Sequence, residues 1–203
     1  MASQERALRA DAARNYERIV GAAIVAFEEV GPEVTLEEIA GRAAVSVATV
    51  YRRFRTREQV VRAVLDHVLT TEIEPMAAAH TDDPWRDLVG LLETAIEALA
   101  GHRVLLAVAR ESPKFDLESM HRCVHSMQLL LRRAIEAGVV RPELEVRDLA
   151  AVIVMTLATV HPGDPHGADR KRYLALLLDG LRASSETLPP PSSHDLPGSP
   201  HQQ

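Results

Sequence analysis

The segment from Thr35 to Arg57 constrains the fold most, because its residue spacing fits two short helices joined by a tight turn. The apolar residues of the first helix recur at i, i+3, i+4 and i+7, and they are Leu36, Ile39, Ala40 and Ala43. Thr35 and Glu38 stand three residues apart as a capping box, which fixes where this helix begins. The segment is therefore predicted to contain a helix pair over about residues 36–54 that buries one side of each helix.

The second helix of the pair is predicted to begin after a Ser46 cap and to repeat the apolar spacing with Val47, Val50, Tyr51 and Phe54. That register turns small and basic side chains outward, namely Ala48, Thr49, Arg52 and Arg53. Small residues let a helix approach base edges, and arginine can donate two hydrogen bonds to guanine. The outward face therefore favours contact with a DNA major groove. A scaffold helix with solvated arginines is the alternative that the spacing leaves open.

The wider stretch of about 50 residues from Asn15 to Leu65 resembles the N-terminal domain of TetR-family transcriptional regulators. The matching positions are Phe27, Gly31, Thr35, Ile39–Ala40, Val45–Ser46, Thr49–Val50–Tyr51, Phe54 and Arg57–Glu58. Two positions depart from the family pattern: Ala44 stands where glycine is usual, and Pro32 replaces a frequent aromatic residue. If position 44 requires a positive φ, alanine costs about 1 kcal/mol there without forbidding the turn.

The resemblance implies which residues bind DNA. Thr49 and Tyr51 match positions that touch the DNA backbone or base edges, and Arg57 matches a basic residue that meets phosphate at the start of the fourth helix. Other positions of the second helix match those that vary and set the operator sequence. The candidate DNA-binding set is Thr35, Ser46, Val47, Ala48, Thr49, Tyr51, Arg52, Arg53 and Arg57.

The distribution of charge agrees with a local contact to nucleic acid. The net charge of −6 excludes a globally basic coat protein. From Ser46 to Arg62, however, five arginines accompany a single acidic residue, Glu58. A basic patch on an acidic protein favours specific phosphate contact with little non-specific binding.

The cysteine content and the apolar runs of the sequence indicate in which cellular compartment the protein is found. Cys123 is the single cysteine, which excludes an intrachain disulfide. The first residues are charged and lack the apolar core of a signal peptide. The longest apolar run, Leu149 to Val160, is too short to span a bilayer. A cytoplasmic protein without a membrane partner is therefore expected.

Helical spacing continues along the chain without strand-like alternation, so an all-α fold of about nine helices is expected. We expect a flexible arm at residues 1–13, whose Arg6, Arg9 and Arg14 either reach phosphates or stay solvated. A three-helix DNA-binding domain is expected at residues 14–67, and a larger helical effector-binding and dimerisation domain at 68–183. Residues 184–203 are rich in proline and serine and are expected to be disordered.

Local signals place several helix ends. A second capping box, Thr56 with Gln59, is predicted to open the fourth helix, which should end before Pro75. Asp83 is predicted to cap a helix with Pro84 at its first position. A short apolar helix is expected over Val104–Ala109.

The sequence around Leu149 predicts that the chain forms a homodimer. Its core, LAAVIVMTLATV, is apolar around the whole helix circumference, and the last helix has a broad apolar face. Burial against copies in a homodimer is favoured over a single filled core, and family members dimerise through their last two helices. Such a dimer would contact half-sites about 34–36 Å apart. The candidate interface residues are Val152, Leu157, Tyr173, Leu177 and Leu181.

The resemblance also implies an unknown small-molecule effector held between the helices of the larger domain. The aromatic residues beyond the DNA-binding domain are Trp85, Phe115 and Tyr173, so an aliphatic or mixed-polarity ligand is favoured over one held in an aromatic cage. The candidate pocket residues are Met120, His121, Val124, Met127 and Met155.

No metal and no cofactor are expected. His121 and His125 could share a metal ion, but Cys123 points elsewhere on the helix and no further ligand completes the set. The loop HPGDPH, from His161 to His166, is interpreted as a turn rather than a site.

Together with these patterns, the resemblance implies a homodimeric repressor that binds a palindromic operator and is released by a small-molecule effector. The alternative is a DNA-binding regulator with a closed core and no effector. An enzyme is disfavoured, because the sequence shows no nucleophile–base pair, phosphate-binding glycine loop or paired carboxylates.

Overall fold

The computed structural model describes residues 2–78, 80–102, 118–161, 164 and 166–192. This part of the chain is helical, with one isolated β-bridge between Val140 and Arg182. The expected all-α fold is confirmed, and the number of helices lies near the expected nine. The chain divides into two compact units: unit 1 ends at Val68 and also includes His102, whereas unit 2 begins at Leu69.

Unit 1 consists of the helices α1 (Ala2–Val30), α2 (Leu36–Arg42), α3 (Val47–Arg53) and α4 (Arg57–Val68). Its core is apolar and includes the fully buried side chains of Ile19, Val20, Phe27, Val34, Ile39, Val50 and Val60. Helix α1 begins at Ala2, which differs from the flexible arm expected at residues 1–13. The segment before Arg14 is rich in alanine and arginine and lacks glycine and proline, so nothing in it interrupts a helix.

The turn between α2 and α3 has alanine in a left-handed conformation, with φ of +50° at Ala44. The Val45 N–H donates to the Ala40 carbonyl at 3.1 Å, and the Ala44 N–H donates to the Gly41 carbonyl at 3.1 Å. These two bonds form a Schellman motif, which usually has glycine at the left-handed position. Ala44 therefore carries the positive φ that the sequence analysis considered.

An Ala44→Gly variant is expected to be more stable than the wild type by about 1 kcal/mol, because glycine adopts a positive φ without the steric cost of a Cβ. Urea unfolding followed by circular dichroism would measure the change. Ala48→Gly is the matched control, since Ala48 is exposed within α3. Glycine there should lower stability by about 0.5–1 kcal/mol, and an Ala44→Gly variant destabilised to the same extent would contradict the prediction.

The start of α4 differs in one bond from the expected capping box. The Gln59 N–H donates to the Thr56 hydroxyl at 3.4 Å, as expected. The Gln59 side-chain oxygen, however, accepts from the N–H of Arg55 at 2.8 Å, one residue before the expected donor. The side chain thus caps the tight loop between α3 and α4 as well as the helix.

The helix that starts as α4 does not end before Pro75. A π-helical segment (Leu69–Ile73) follows α4 and leads directly into α5 (Glu74–Ala78), which contains Pro75 in its first turn. Proline is tolerated in a first turn because its missing N–H would have no helical acceptor there. The wider π turn allows the new helix to begin at Glu74, so the expected stop before Pro75 is wrong.

Unit 2 contains, besides α5, the helices α6 (Pro84–Gly101), α7 (Glu118–Glu136), α8 (Val146–Ala158) and α9 (Ala168–Leu181). Asp83 caps α6 as expected, since its carboxylate accepts from the Arg86 N–H at 3.0 Å. Helix α6 is central and packs on α5, α7 and α8. The buried side chains include Leu88, Leu91, Leu92, Ile96, Leu130 and Leu149. The helix expected over Val104–Ala109 lies outside the described residues.

A buried carboxylate joins the start of α6 to α7. Asp87 is 7% exposed and accepts from the Thr81 N–H at 2.9 Å and from the Thr81 hydroxyl at 2.6 Å. The Arg133 guanidinium donates to the same carboxylate at 2.7 Å and to the Thr81 carbonyl at 2.7 Å. This network fixes the loop before α6 on α7, and it was not evident from sequence spacing.

The described part of the C-terminal tail is held by side chains, which differs from the disorder expected from residue 184 onward. Arg141 donates to the Gly180 carbonyl at 2.9 Å and also to the Glu186 carbonyl. Glu143 accepts from the Leu188 N–H at 2.9 Å. Residues 184–192 therefore follow the segment that leads into α8, and residues 193–203 lie outside the described residues.

The loop before α9 acts as a helix cap. The Asp164 carboxylate accepts from the N–H groups of Ala168 and Asp169, each at 2.8 Å. Gly167 adopts a positive φ of 66°, and a Cβ there would meet the Arg170 guanidinium at 2.6 Å. The described residues of this loop thus orient the first turn of α9.

Candidate nucleic-acid interface

Helix α3 is capped as expected but buries a narrower stripe than expected. The Ser46 hydroxyl accepts from the Thr49 N–H at 3.2 Å. Val50 and Phe54 are buried, whereas Val47 and Tyr51 are 42% and 44% exposed. The expected apolar stripe is therefore wrong at Val47 and Tyr51, because a helix of seven residues has less than two full turns to pack.

The exposed side of α3 forms one continuous surface, which we call the α3 outer face: Val47, Ala48, Tyr51 and Arg52. These positions are spaced i, i+1, i+4 and i+5, so they lie side by side on the helix. Thr49 is half-buried at the edge of this face, and its hydroxyl lies 2.8 Å from the Ser46 hydroxyl. The face combines small side chains with one arginine and one phenol.

Arg53 is turned toward α1 rather than straight outward. Its guanidinium carbon lies 4.9 Å from the centroid of the Tyr16 ring, and that ring lies 5.8 Å from the Phe54 ring. A cation–π contact of this kind holds the arginine at the flank of the helix. Arg53 is exposed but is placed beside the α3 outer face, which corrects the expectation that it shares the outward direction of Arg52.

Tyr51 contacts a carboxylate of α2. Its hydroxyl donates to the Glu37 side chain at 2.8 Å, and both residues are exposed. The hydrogen bond to Glu37 raises the pKa of Tyr51 above its ordinary value, because the proton is shared with an anionic acceptor. Tyr51 thus remains a neutral donor, and Glu37 is a residue that the sequence analysis did not single out.

Arg57 is the first residue of α4, and part of its guanidinium group lacks a hydrogen-bond partner among the described residues. Its guanidinium carbon lies 5.8 Å from the centroid of the Phe27 ring. The Nε and one Nη atom are buried and have no hydrogen-bond partner among the described residues. Unsatisfied guanidinium donors are costly, so a conformation that gives them an anionic acceptor would be favoured.

The helix pair is fixed by its caps and by bonds to α1. In the expected capping box, the Thr35 N–H donates to Glu38 at 2.8 Å and the Glu38 N–H donates to the Thr35 hydroxyl at 3.2 Å. The bond from the Thr35 N–H, and after it the bond that the Thr35 hydroxyl donates to the Glu38 carboxylate at 3.0 Å, lower the pKa of the Glu38 carboxyl. Arg18 of α1 donates to the Ala44 carbonyl at 2.9 Å, which ties the turn to the first helix.

The residues predicted for a subunit interface differ in their exposure within unit 2. Val152 and Leu181 are buried in the core of their own unit, so these two assignments are corrected. Leu157 and Leu177 are half-buried, and Tyr173 is exposed. The outward side of α8 is instead a continuous line of apolar residues, which we call the α8 stripe: Ala151, Val154, Met155 and Ala158. Leu176 is the most exposed large apolar side chain of α9, at 63%.

The residues predicted for a ligand pocket are mostly exposed in the single chain. Met120, His121, Val124 and Met155 are exposed, whereas Met127 is buried. Met120, Val124 and Met127 follow one another at i, i+4 and i+7 on one side of α7, and of these three side chains Met127 is the covered one. Cys123 also turns inward, is 6% exposed, and burial raises the pKa of its thiol to about 11.

A cleft of about 320 Å³ lies between α6 and α9. Its lining includes Ile96, Leu174 and Leu178, which are buried, and charged residues at its edges. Arg170 at one edge pairs with Glu97 at 2.5 Å, and its Nε atom is buried without a partner. No aromatic ring belongs to the lining of this cleft.

Two further observations restrict the chemistry of the described residues. They contain no group of three or more His, Cys, Asp or Glu side chains that could hold a metal ion. In particular, His121 and His125 are exposed, whereas Cys123 faces the core. Within the same part of the chain, no helix combines the length and the apolar character needed to cross a membrane.

Both units match family models of bacterial transcriptional regulators. Residues 19–64 match the family model described as bacterial regulatory proteins of the tetR family. Residues 83–183 match the model for the C-terminal domain of SbtR-like transcriptional regulators. The HTH-type transcriptional repressor KstR2 of Mycolicibacterium smegmatis is 24% identical over 168 residues, which are 74% of this chain and 82% of that protein.

Solved structures of regulators share the fold. A TetR transcriptional regulator from Streptomyces coelicolor is 28% identical, with a TM-score of 0.61 and coverage of 84% of this chain and 99% of that one. The transcriptional regulator FadR of Bacillus subtilis, solved in complex with stearoyl-CoA, has a TM-score of 0.60 at 22% identity and covers 82% of this chain and 99% of its own. With TetR-type matches in both units and a capped helix pair that presents the α3 outer face, the chain belongs to the TetR family of bacterial transcriptional regulators.

Proposed function

We propose that the protein is a homodimeric repressor that binds a palindromic operator and is released from it by a small-molecule effector. In this proposal residues 14–67 contact DNA, and residues 68–183 carry the dimer interface and the effector site. Each subunit places α3 in the major groove of one half-site. The observation that carries the proposal is the α3 outer face, which combines Ala48 and Val47 with an exposed arginine at Arg52.

The chemistry of the α3 outer face suits base reading. Arg52 is exposed, is free to extend toward a groove, and can donate two hydrogen bonds to the O6 and N7 atoms of guanine. Ala48 and Val47 leave room for the helix to approach and can contact thymine methyl groups. Ser46, Thr49 and Tyr51 supply hydroxyl groups around this face for phosphate oxygens, and Thr35 caps the neighbouring helix.

Arg52 and Arg57 are expected to contribute differently to DNA binding. Arg52→Ala should lose about 1–3 kcal/mol of discrimination at one base pair and leave binding to unrelated DNA nearly unchanged. Arg57→Ala should weaken all duplexes alike and reduce the slope of log K against log salt by about 1, because one phosphate contact is lost. Fluorescence anisotropy at several salt concentrations would measure both effects.

The test needs two duplexes and one control variant. The first duplex is selected by the wild type from random-sequence DNA, and the second is a scrambled version of the same composition. Arg132→Ala is the matched control, since Arg132 is an exposed arginine on α7. An unchanged salt slope for Arg57→Ala would refute its phosphate contact, and an unchanged preference for Arg52→Ala would refute base reading by Arg52.

The dimer is supported by apolar surface that a monomer would leave in water. The α8 stripe contains no charged residue, and Val154 and Met155 within it are 52% and 47% exposed. Leu176 of α9 adds a further exposed side chain. A second copy would bury these residues through a two-fold interface, and the same symmetry suits a palindromic operator.

The effector is proposed to be an aliphatic or mixed-polarity molecule. The apolar lining of the α6–α9 cleft and the cation of Arg170 at its edge support this chemistry. The likeness to a regulator solved with stearoyl-CoA suggests a first compound to test. The measurement is the melting temperature and the operator affinity of the protein with stearoyl-CoA, with coenzyme A as control.

A ligand that raises the melting temperature and weakens operator binding would support the proposed effector response, because it must bind the two states with different affinity. If neither acyl-CoA nor a broad set of aliphatic ligands changes either quantity, the alternative of a regulator without an effector is favoured.

A further inference from the structure

Beside the α3 outer face lies the Glu37 carboxylate, which the helix caps of unit 1 do not require. Glu37 lies in the first turn of α2, and its side chain accepts from the Tyr51 hydroxyl at 2.8 Å. The start of α2 is already capped by Thr35 and Glu38. Both Glu37 and Tyr51 are exposed, so neither burial nor capping forces them together.

The Tyr51 hydroxyl has a single proton and can donate to one acceptor at a time. In the free protein that acceptor is Glu37. A DNA phosphate that takes the hydroxyl must displace the carboxylate, which then has no donor and faces a polyanion. Charge repulsion of this kind disfavours DNA of every sequence.

A displaced Glu37 carboxylate can instead accept a hydrogen bond from a nucleobase. Carboxylates only accept hydrogen bonds. The major groove offers two donors, the amino groups at adenine N6 and cytosine N4, and the cytosine group is the one that Glu and Asp side chains usually recognise. Guanine O6, guanine N7 and thymine O4 are acceptors and would repel the carboxylate. One negative side chain at this position can therefore discriminate between sequences by penalising most of them.

Building on the proposed function, we propose that Glu37 is a specificity-determining residue: its carboxylate opposes DNA binding in general, and a cytosine amino group that replaces the Tyr51 hydroxyl as its donor relieves this opposition.

The test compares dissociation constants of the wild type, Glu37→Gln, Glu33→Gln and Tyr51→Phe for two duplexes at one salt concentration. One duplex is selected by the wild type from random-sequence DNA, and the other is a scrambled version. Glu37→Gln keeps an acceptor for Tyr51 and removes the charge. Glu33→Gln is the matched control, because Glu33 is an exposed glutamate in the loop before α2. Melting temperatures verify that each variant is folded.

We expect Glu37→Gln to bind the scrambled duplex about tenfold more tightly while its affinity for the selected duplex changes by less than about threefold, so that the specificity ratio falls. Glu33→Gln should leave the ratio unchanged. Tyr51→Phe should weaken both duplexes alike. Repeated selection with Glu37→Gln should lose a preference for cytosine at one position of each half-site.

A wild-type specificity ratio that Glu37→Gln leaves unchanged, or lowers no more than Glu33→Gln does, would overturn the inference and leave the proposed function intact. A ratio lowered by Tyr51→Phe as much as by Glu37→Gln would also overturn it, since the phenol would then be the discriminating group. A wild type that selects no sequence would contradict the proposed function itself.

Discussion

A Val154→Glu variant is expected to disrupt the proposed homodimer, so that it stays monomeric, and to bind operator DNA about a hundredfold more weakly or worse. Val154 lies within the α8 stripe and is 52% exposed in the single chain. In a two-fold interface each substitution occurs twice, so two carboxylates would be buried without partners. The loss of operator affinity follows because each subunit alone holds one recognition helix.

Light scattering would report the oligomeric state, and anisotropy with the selected duplex would report affinity. The control is Val124→Glu, since Val124 is a valine on α7 with a comparable exposure of 39%. That variant should remain dimeric and bind normally. Dimeric Val154→Glu protein with wild-type affinity would show that subunits meet through another surface.

An Asp87→Ala variant is expected to lose about 3 kcal/mol of unfolding free energy, a large part of the stability of an ordinary domain. The substitution leaves the Arg133 guanidinium and the Thr81 N–H without their shared acceptor. The expected loss lies at the lower end of the range for a broken buried ion pair, because the Arg133 side chain is 31% exposed. Urea unfolding would measure the loss. Glu74→Ala is the control, since its pair with Arg122 is more exposed and should contribute less than about 1 kcal/mol.

The same network makes stability depend on pH. Burial raises the pKa of the Asp87 carboxyl. The hydrogen bonds from the Thr81 hydroxyl and N–H, and then from Arg133, lower it by more than burial raises it, so the pKa lies below its ordinary value of 3.8. A lowered pKa in the folded state stabilises the protein above the unfolded value, and this stabilisation is lost as pH falls through the folded value. The wild type should therefore lose stability below about pH 4 more steeply than Asp87→Asn. Equal slopes would contradict this role.

Signals between near neighbours in the sequence predicted much of the fold. The Thr35–Glu38 box, the Ser46 cap and the Asp83 cap follow from hydrogen bonds that span three residues, and all three are present. The helix α8 was predicted to be apolar around its whole circumference, and in the structure one side of it is buried while the opposite side is apolar and exposed. Such features depend on helix geometry alone, which the sequence order determines.

The features that sequence reasoning missed depend on contacts between distant residues. The stacking of Arg53 on Tyr16, the bond from Tyr51 to Glu37 and the clamp of Arg133 on Asp87 each join different helices. Periodicity predicts which side of a helix is apolar, but it does not indicate which neighbouring helix a long polar side chain will reach. Pro75 was misjudged for a related reason, since a π turn before it altered the local register.

The inward position of Cys123 has a practical consequence for measuring the spacing of the recognition helices. It is the single cysteine of the chain, it is 6% exposed, and the raised pKa of its thiol, about 11, leaves little reactive thiolate at neutral pH. A cysteine introduced at Arg55, which is exposed just after α3, would accept a spin label while Cys123 stays unmodified. In the proposed homodimer, the distance between two such labels would then report how far apart the two α3 helices lie, with and without the proposed effector.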